Sequence, residues 1–367
     1  MAVASQHGVS GGVGMIPATM KAAVYRGVND VRVETVAVPE IGAGELLIRV
    51  HTCGICGTDL KKIHYGLTPP PRIFGHETAG TIVEVGSAVR GWRVGDRVAV
   101  NHHIPCQKPD CFFCKRKAFA QCPVYKRTGA TAGFEPAGGG FAEYVRVLSW
   151  CVDGMIRIPE GFPADEATMI EPLNTCLKGV RLAGVQTGDT VVVIGQGPIG
   201  MLFTQLARIA GAKVIATDMI ASRRDAALQM GANLALDPSS DIISAAVAEL
   251  SEGRGADTVV VAVPSTEVVP GAFELLRPAG RVLLFAHTRL NDPMAVDAGA
   301  ICMQEKALIG SYSSDITLQD ECADLIFSRK VDVRPLLTHR FDLGRIADAV
   351  DYASRPRDGS LKILVTP

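Results

Sequence analysis

The sequence predicts an α/β chain of two domains, one β-rich and one built on a doubly wound parallel sheet. Three observations predict it. Residues 20 to about 105 alternate short apolar runs with Gly/Pro turns. From Asp189 onward, apolar strands alternate with segments of helical apolar spacing, the pattern of right-handed βαβ units. At 367 residues the chain is also long for a single core.

The elements follow in order. Residues 1–19 are rich in Gly, Ser and Ala and carry no Lys or Arg. They match neither a secretory signal nor an Arg-rich presequence and are expected to be a flexible tail, with the fold starting at Met20. Leu46–Val50, Ala79–Val85 and Arg97–Val100 read as strands of the first domain. Residues 106–140 form a cysteine-bearing loop excursion, after which Phe141–Val147 resumes a strand. Val191–Ile194, Lys213–Thr217, Asp257–Val263 and Arg281–Phe285 are strands of the second domain, with helices at Met201–Ala210 and Ala221–Met230. Beyond Glu305 come Leu308–Tyr312, a helix near Leu318–Ser328 and a strand at Leu361–Val365. This stretch is expected to return to the first domain. The domains are then 20–170 with 305–367, and 171–304.

Composition narrows the function. Hydrophobic residues make up 47% and charged residues 20%, so the chain can bury real cores. A formal net charge of −1 gives no reason to expect a nucleic-acid or anionic-membrane partner. No apolar run is long enough to span a bilayer. Four of the ten cysteines crowd into Cys106–Cys122. Without a secretion signal, such clustering favours metal binding in a reducing compartment, and a cytoplasmic location is expected.

Two constellations carry chemistry. Gly54-Ile55-Cys56-Gly57-Thr58-Asp59 and Gly75-His76-Glu77 place a thiol, an imidazole and a carboxylate in glycine-bracketed turns. That is the donor set of a catalytic zinc site, which keeps one position open. Glu171 offers a further carboxylate just before the second domain. Thr58 is close enough to Cys56 for its hydroxyl to face the same metal. Asp59 can accept the free ring N–H of His76, which fixes a ligating imidazole. Cys53 is a competing thiol, but Thr58 and Asp59 after Cys56 favour the latter. Further on, Gly195-x-Gly197-Pro198-Ile199-Gly200 follows a strand and opens a helix, and Asp218 ends the next strand. Glycines there allow a tight turn and close approach of a pyrophosphate at the helix N-terminus, while the carboxylate suits the adenosine ribose. Asp218 favours NAD over NADP, and Arg223 lies along the adenine side. Val263, Ala286 and Ser311 end later strands at the sheet's carboxyl edge, and His287 is expected at the rim.

These motifs together resemble the zinc-dependent medium-chain dehydrogenases, nearest the polyol (sorbitol-type) and threonine dehydrogenases, from Met20 to Pro367. The resemblance implies a GroES-like catalytic domain joined to a Rossmann NAD-binding domain. It implies zinc held by Cys56 and His76, with Glu77 a direct or alternating ligand. Glu171 takes the place where simple alcohol dehydrogenases have a second cysteine. Cys106, Cys111, Cys114 and Cys122 are implied to hold a structural zinc. Their spacing is C-x4-C-x2-C-x7-C, where the family has C-x2-C-x2-C-x7-C, so the first gap is longer here. His102 and His103 are spare donors, better read as lining the cleft or packing. Many relatives have a proton-relay histidine where this chain has Lys61, with His64 nearby. The stretch Gly310-Ser311-Tyr312-Ser313-Ser314 lacks the arginine that sorbitol-type members tend to carry, which argues against sorbitol itself.

The implied reaction is transfer of a hydride between NAD and a secondary alcohol such as a polyol, cyclitol, diol or amino alcohol. Thr58 takes the hydroxyl proton and passes it through the cofactor ribose toward Lys61 or His64. A homo-oligomer is expected. The alternatives are an NADPH-dependent zinc carbonyl reductase and a non-catalytic nucleotide-binding protein.

Overall fold

The computed structural model describes residues 15–128, 138–286 and 291–367. The tail expected at residues 1–19 therefore lies largely outside the described residues, as does His287. The first strand begins at Thr19.

The first domain is a seven-stranded sheet. Its order is Leu337–Asp342, Lys362–Thr366, Leu46–Gly54, Glu77–Val85, Arg97–Val100 and Met155–Arg157, with Tyr144–Val147 also paired to Leu46–Gly54. A three-stranded sheet of Asp30–Ala37, Thr19–Gly27 and Arg72–Ile73 accompanies it. Leu46–Gly54 is buried along nearly its whole length because both faces are covered. Leu46, Ile48 and Val50 point to one core with Ile82, Val98 and Val145. Cys53 belongs to the opposite core with Phe74, Phe141 and Ile363. This is the period-two alternation of a strand.

The second domain is a six-stranded parallel sheet. Its order is Leu234–Leu236, Lys213–Thr217, Thr190–Ile194, Ala256–Val261, Leu276–Leu284 and Ala307–Gly310. The sixth strand differs from the sequence expectation, which sent everything beyond residue 304 to the first domain. Ala307–Gly310 pairs in register with Arg281–Leu284 and so completes the parallel sheet. Its residues are only half-buried or exposed, so it lacks the continuous apolar run that marks the inner strands. The stretch after it does return, because Leu337–Asp342 and Lys362–Thr366 join the first sheet.

One helix, Ile170–Ala183, joins the two domains. Leu173, Leu177 and Val180 share a core with Leu202, Phe203 and Leu206 of helix Pro198–Ile209. Among the described residues, no helix is long and apolar enough to cross a membrane.

Candidate active site

Strand Leu46–Gly54 delivers the chain to a turn from which helix Gly57–Tyr65 starts, with Cys56 as its N-cap residue. Asp59 reaches back, and its Oδ2 accepts the Cys56 amide at 3.1 Å, which fixes the turn that presents the thiol. Strand Glu77–Val85 runs antiparallel beside it, with Gly54 opposite Glu77. A Cβ on Gly54 would lie 2.0 Å from Glu77 Oε2, so only glycine lets this carboxylate approach. The pairing brings donor atoms of Cys56, His76 and Glu77 within 4.8 Å of one another.

The group fits a zinc ion. His76 Nε2 lies 3.4 Å from Thr58 Oγ1, and its Nδ1 faces Asp59 Oδ1 at 3.3 Å. Burial opposes a charge on His76, but Asp59 and Cys56 outweigh it and hold the imidazole well above its usual range. The surroundings thus favour positive charge at a buried thiol–imidazole–carboxylate group, the condition a soft divalent cation satisfies. Cys53 is excluded from the group. It is wholly buried, its Sγ contacts Thr78 Oγ1 at 3.4 Å, and burial drives its thiol strongly upward.

Two neighbours of the group were given no role at it from the sequence. Lys362, on the strand Lys362–Thr366, places Nζ 2.7 and 2.6 Å from the two oxygens of Glu77 and also donates to the Ile55 carbonyl at 3.2 Å. Side-chain exposure is 4% for Lys362 and 0% for Glu77, so this is a fully buried ion pair. Burial raises the Glu77 carboxyl, and Lys362 and His76 act against that rise. A lysine inside the otherwise apolar run Leu361–Val365 was the available signal. The second neighbour is His103, weighed only as a spare donor. Its Nδ1 lies 3.2 Å from Glu171 Oε1, and its ring sits between His76 and Tyr125, with centroids 5.4 Å from each. Glu171 is engaged by His103 and does not join the converged group of Cys56, His76 and Glu77. His102 is buried as well, and burial lowers it to about 3.

The relay candidates separate. Lys61 is half-buried, and burial lowers its ammonium while Cys56 pulls it back up. His64 is clamped, with Nδ1 2.5 Å from Asn29 Oδ1 and Nε2 2.6 Å from Ser354 Oγ.

The four loop cysteines do converge. Cys106, Cys111, Cys114 and Cys122 bring their sulfurs within 4.8 Å of one another. The longer first gap is absorbed by Gln107 at φ 52° and by a turn in which Cys111 N donates to Lys108 O at 3.1 Å. Burial opposes the Cys122 thiolate, yet the amides of Cys106, Tyr125 and Val124 hold it down at about 7. A tetrahedral thiolate site fits this set. Tyr125, just beyond, bonds the Ser313 hydroxyl and accepts the Ser314 amide at 3.1 Å, tying the loop to the cleft wall.

At the sheet's carboxyl edge, Gly195 ends strand Thr190–Ile194, and Gly197 caps helix Pro198–Ile209. A Cβ on Gly200 would lie 1.8 Å from Gly195 O, so the helix can pack against the turn only without one. A Cβ on Gly197 would meet nothing within 4 Å, which leaves the outer side of the turn open to a phosphate. Asp218 Oδ2 accepts the Gln196 amide at 2.8 Å and Oδ1 the Ile220 amide at 2.9 Å. Each oxygen keeps a lone pair for a ribose hydroxyl. Arg223 lies 3.8 Å from Asp218 and donates to the Ser360 carbonyl at 3.0 Å. Val263 and Ala286 lie at the ends of their strands on this edge. The Ser311 hydroxyl is buried there without a partner, as a cofactor-facing donor would be in a ligand-free chain.

Comparison with known proteins agrees with this two-domain architecture. Residues 42–160 match the alcohol dehydrogenase GroES-like domain, and residues 198–328 match the zinc-binding dehydrogenase family. Sorbitol dehydrogenase of Bombyx mori is 32% identical over 94% of this chain and 97% of its own. L-threonine 3-dehydrogenase of Pyrococcus furiosus is 31% identical over 83% of this chain and 86% of its own. A solved zinc-binding dehydrogenase from Sinorhizobium meliloti 1021, bound to NADP, superposes with a TM-score of 0.86 at 31% identity, covering 96% of this chain and 100% of its own. The chain belongs to the zinc-dependent medium-chain dehydrogenases, in their polyol and threonine dehydrogenase branch, and is an oxidoreductase acting on CH–OH donors with zinc and a nicotinamide dinucleotide.

Proposed function

We infer that this dehydrogenase oxidises a secondary alcohol bearing further polar groups to the ketone, with NAD as the hydride acceptor. One observation carries the reading. Helix Ile170–Ala183 sets Glu171 beside the metal group and Cys176 Sγ 3.9 Å from the Ile199 carbonyl of the dinucleotide turn. Five residues at about 1.5 Å of rise each put the two positions about 7.5 Å apart along the axis, so metal and cofactor sites meet across one helix.

Cys56, His76 and Glu77 hold the catalytic zinc, with Glu171 held in reserve by His103. Bound there, zinc supplies a Lewis acid for the substrate oxygen. Asp59 orients His76. Thr58 accepts the substrate's hydroxyl proton, and half-buried Lys61 is the exit, because both ring nitrogens of His64 are already engaged. Gly195, Gly197, Pro198, Ile199 and Gly200 cradle the pyrophosphate, with Val263, Ala286 and Ser311 along the nicotinamide side. The chain divides into a catalytic domain and a nucleotide domain, with the sixth strand in the latter, and closure of the cleft between them would exclude water during hydride transfer. Cytoplasmic location and a homo-oligomeric state complete the reading. A substrate panel followed by NADH absorbance tests it, and no turnover of any alcohol by zinc-loaded enzyme would remove it.

Cofactor choice rests on Asp218, since a relative of this fold holds NADP. A carboxylate at the 2′ position bonds the NAD ribose and meets a 2′-phosphate with like charge. The expected preference for NAD is roughly a hundredfold in kcat/KM. Asp218→Ala should narrow it, with Arg223 freed to hold the phosphate. Equal or better kcat/KM with NADP in the unaltered enzyme would shift the reading to a carbonyl reductase.

The cysteine loop holds a second, structural zinc. Cys111→Ser or Cys114→Ser should lower Tm by about 5 °C or more while changing the hydride-transfer step less, because a closed thiolate site contributes folding energy and no open position. Metal analysis giving a single zinc per fully loaded chain would contradict it.

A further inference from the structure

The three carboxylates around the metal group each have a partner from this chain. Asp59 faces His76, Glu77 is paired with Lys362, and Glu171 is engaged by His103. Lys62 is different. It lies on helix Gly57–Tyr65, four residues beyond Thr58 and therefore one turn along the same face. Thr58 already touches the metal group through His76. Lys62 is half-buried, and among the described residues it forms no ion pair. It nonetheless lies close enough to Asp59, Cys56 and Glu171 to feel all three, although burial is the larger influence and lowers its pKa.

Each acidic side chain near Lys62 already faces another partner, Asp59 facing His76 and Glu171 facing His103. A half-buried ammonium without a direct ion pair is costly, and a ligand that brings an anion to it recovers that cost.

We propose that Lys62 is a specificity residue that selects an alcohol carrying an anionic group, carboxylate or phosphate, close to the carbon being oxidised. The inference rests on the dehydrogenase reading above and adds the substrate's charge to it. The ammonium donates hydrogen bonds to the anion and anchors the substrate while its hydroxyl approaches Thr58. A charge-assisted bond of this kind changes binding by about tenfold or more. The neutral polyol of the same skeleton gains much less from Lys62.

Matched substrate pairs test the idea. A 3-hydroxy acid is compared with the diol of the same skeleton, and a sugar-alcohol phosphate with the free sugar alcohol. The first pair isolates carboxylate and the second phosphate. Zinc-loaded enzyme should prefer the anionic member of at least one pair by about tenfold in kcat/KM. Lys62→Met should collapse that preference mainly through KM, and Lys62→Arg should keep most of it. Calorimetric titration of the enzyme–NADH complex with the corresponding anionic ketone should show weaker binding in Lys62→Met, independently of turnover. A neutral preference in both pairs would overturn the inference and leave the dehydrogenase reading standing. So would an equal loss for both members of a pair in Lys62→Met. Failure to oxidise any of the alcohols would overturn both.

Discussion

Cys56→Ser and His76→Ala are each expected to lower turnover by about a thousandfold or more and to remove about one zinc per chain. Loss of a Lewis acid that stabilises developing charge on the substrate oxygen is worth several kcal/mol, and every 1.36 kcal/mol is about tenfold in rate. Affinity for NAD should change little. The proposed ligands come from the turns at Cys56 and His76 in the first domain, whereas the dinucleotide turn sits on the parallel sheet. Cys56→Ser is the cleaner variant, because it is nearly isosteric and leaves the partner of Asp59 in place. His76→Ala also strands Asp59, which is fully buried, so its stability should fall as well. Metal analysis, NADH fluorescence titration and steady-state kinetics check the three parts. Wild-type turnover in either variant after dialysis against a chelator would show that the catalytic metal lies elsewhere.

Lys362→Met is expected to destabilise the protein by roughly 3–5 kcal/mol, which is the cost of leaving a buried charge without its partner. Both oxygens of Glu77 are within 2.7 Å of the ammonium, and neither side chain has water to turn to. Adding Glu77→Gln should recover much of the loss in the metal-free protein, because the unpaired carboxylate is removed. Denaturant unfolding of the two single variants and the double variant forms the necessary cycle. A change in Lys362→Met below about 1 kcal/mol would mean that the pair behaves like an exposed one. Activity should fall as well, since Glu77 is then no longer held in place beside Cys56 and His76.

The short-range features were legible in the sequence. The Cys56–Asp59 turn, Gly75-His76-Glu77 and the glycine turn at Gly195 each lie within a few residues, so spacing alone shows which side chains share a turn. The cysteine loop was legible in spite of its longer gap, because a turn at Gln107 takes up the extra length. Long-range partners were not legible. Lys362 meets Glu77 across a separation of 285 residues, and His103 meets Glu171 across 68. Nothing local marks such a pairing except an ionisable residue in an apolar strand. The sixth strand, Ala307–Gly310, was misplaced for a related reason. It lies at the sheet's edge, and its half-exposed residues do not show the apolar run of the central strands. Tyr125, which connects the cysteine loop to Ser313 and Ser314, reads in sequence as an ordinary loop aromatic.

The Glu77–Lys362 pairing also bears on how the chain reaches its folded state. The parallel sheet is drawn from one continuous stretch, Thr190 to Gly310, and can form before the chain around it is closed. Once compact, that stretch brings its two ends nearer together and shortens the effective loop between Glu77 and Lys362. The seam between strands Lys362–Thr366 and Leu46–Gly54 is then expected to form late, after most of the apolar surface is already buried. Interactions formed that late are absent from the transition state. Weakening the seam should therefore appear as faster unfolding, with the refolding rate nearly the same, so that the catalytic domain's lifetime is set by its last-formed edge.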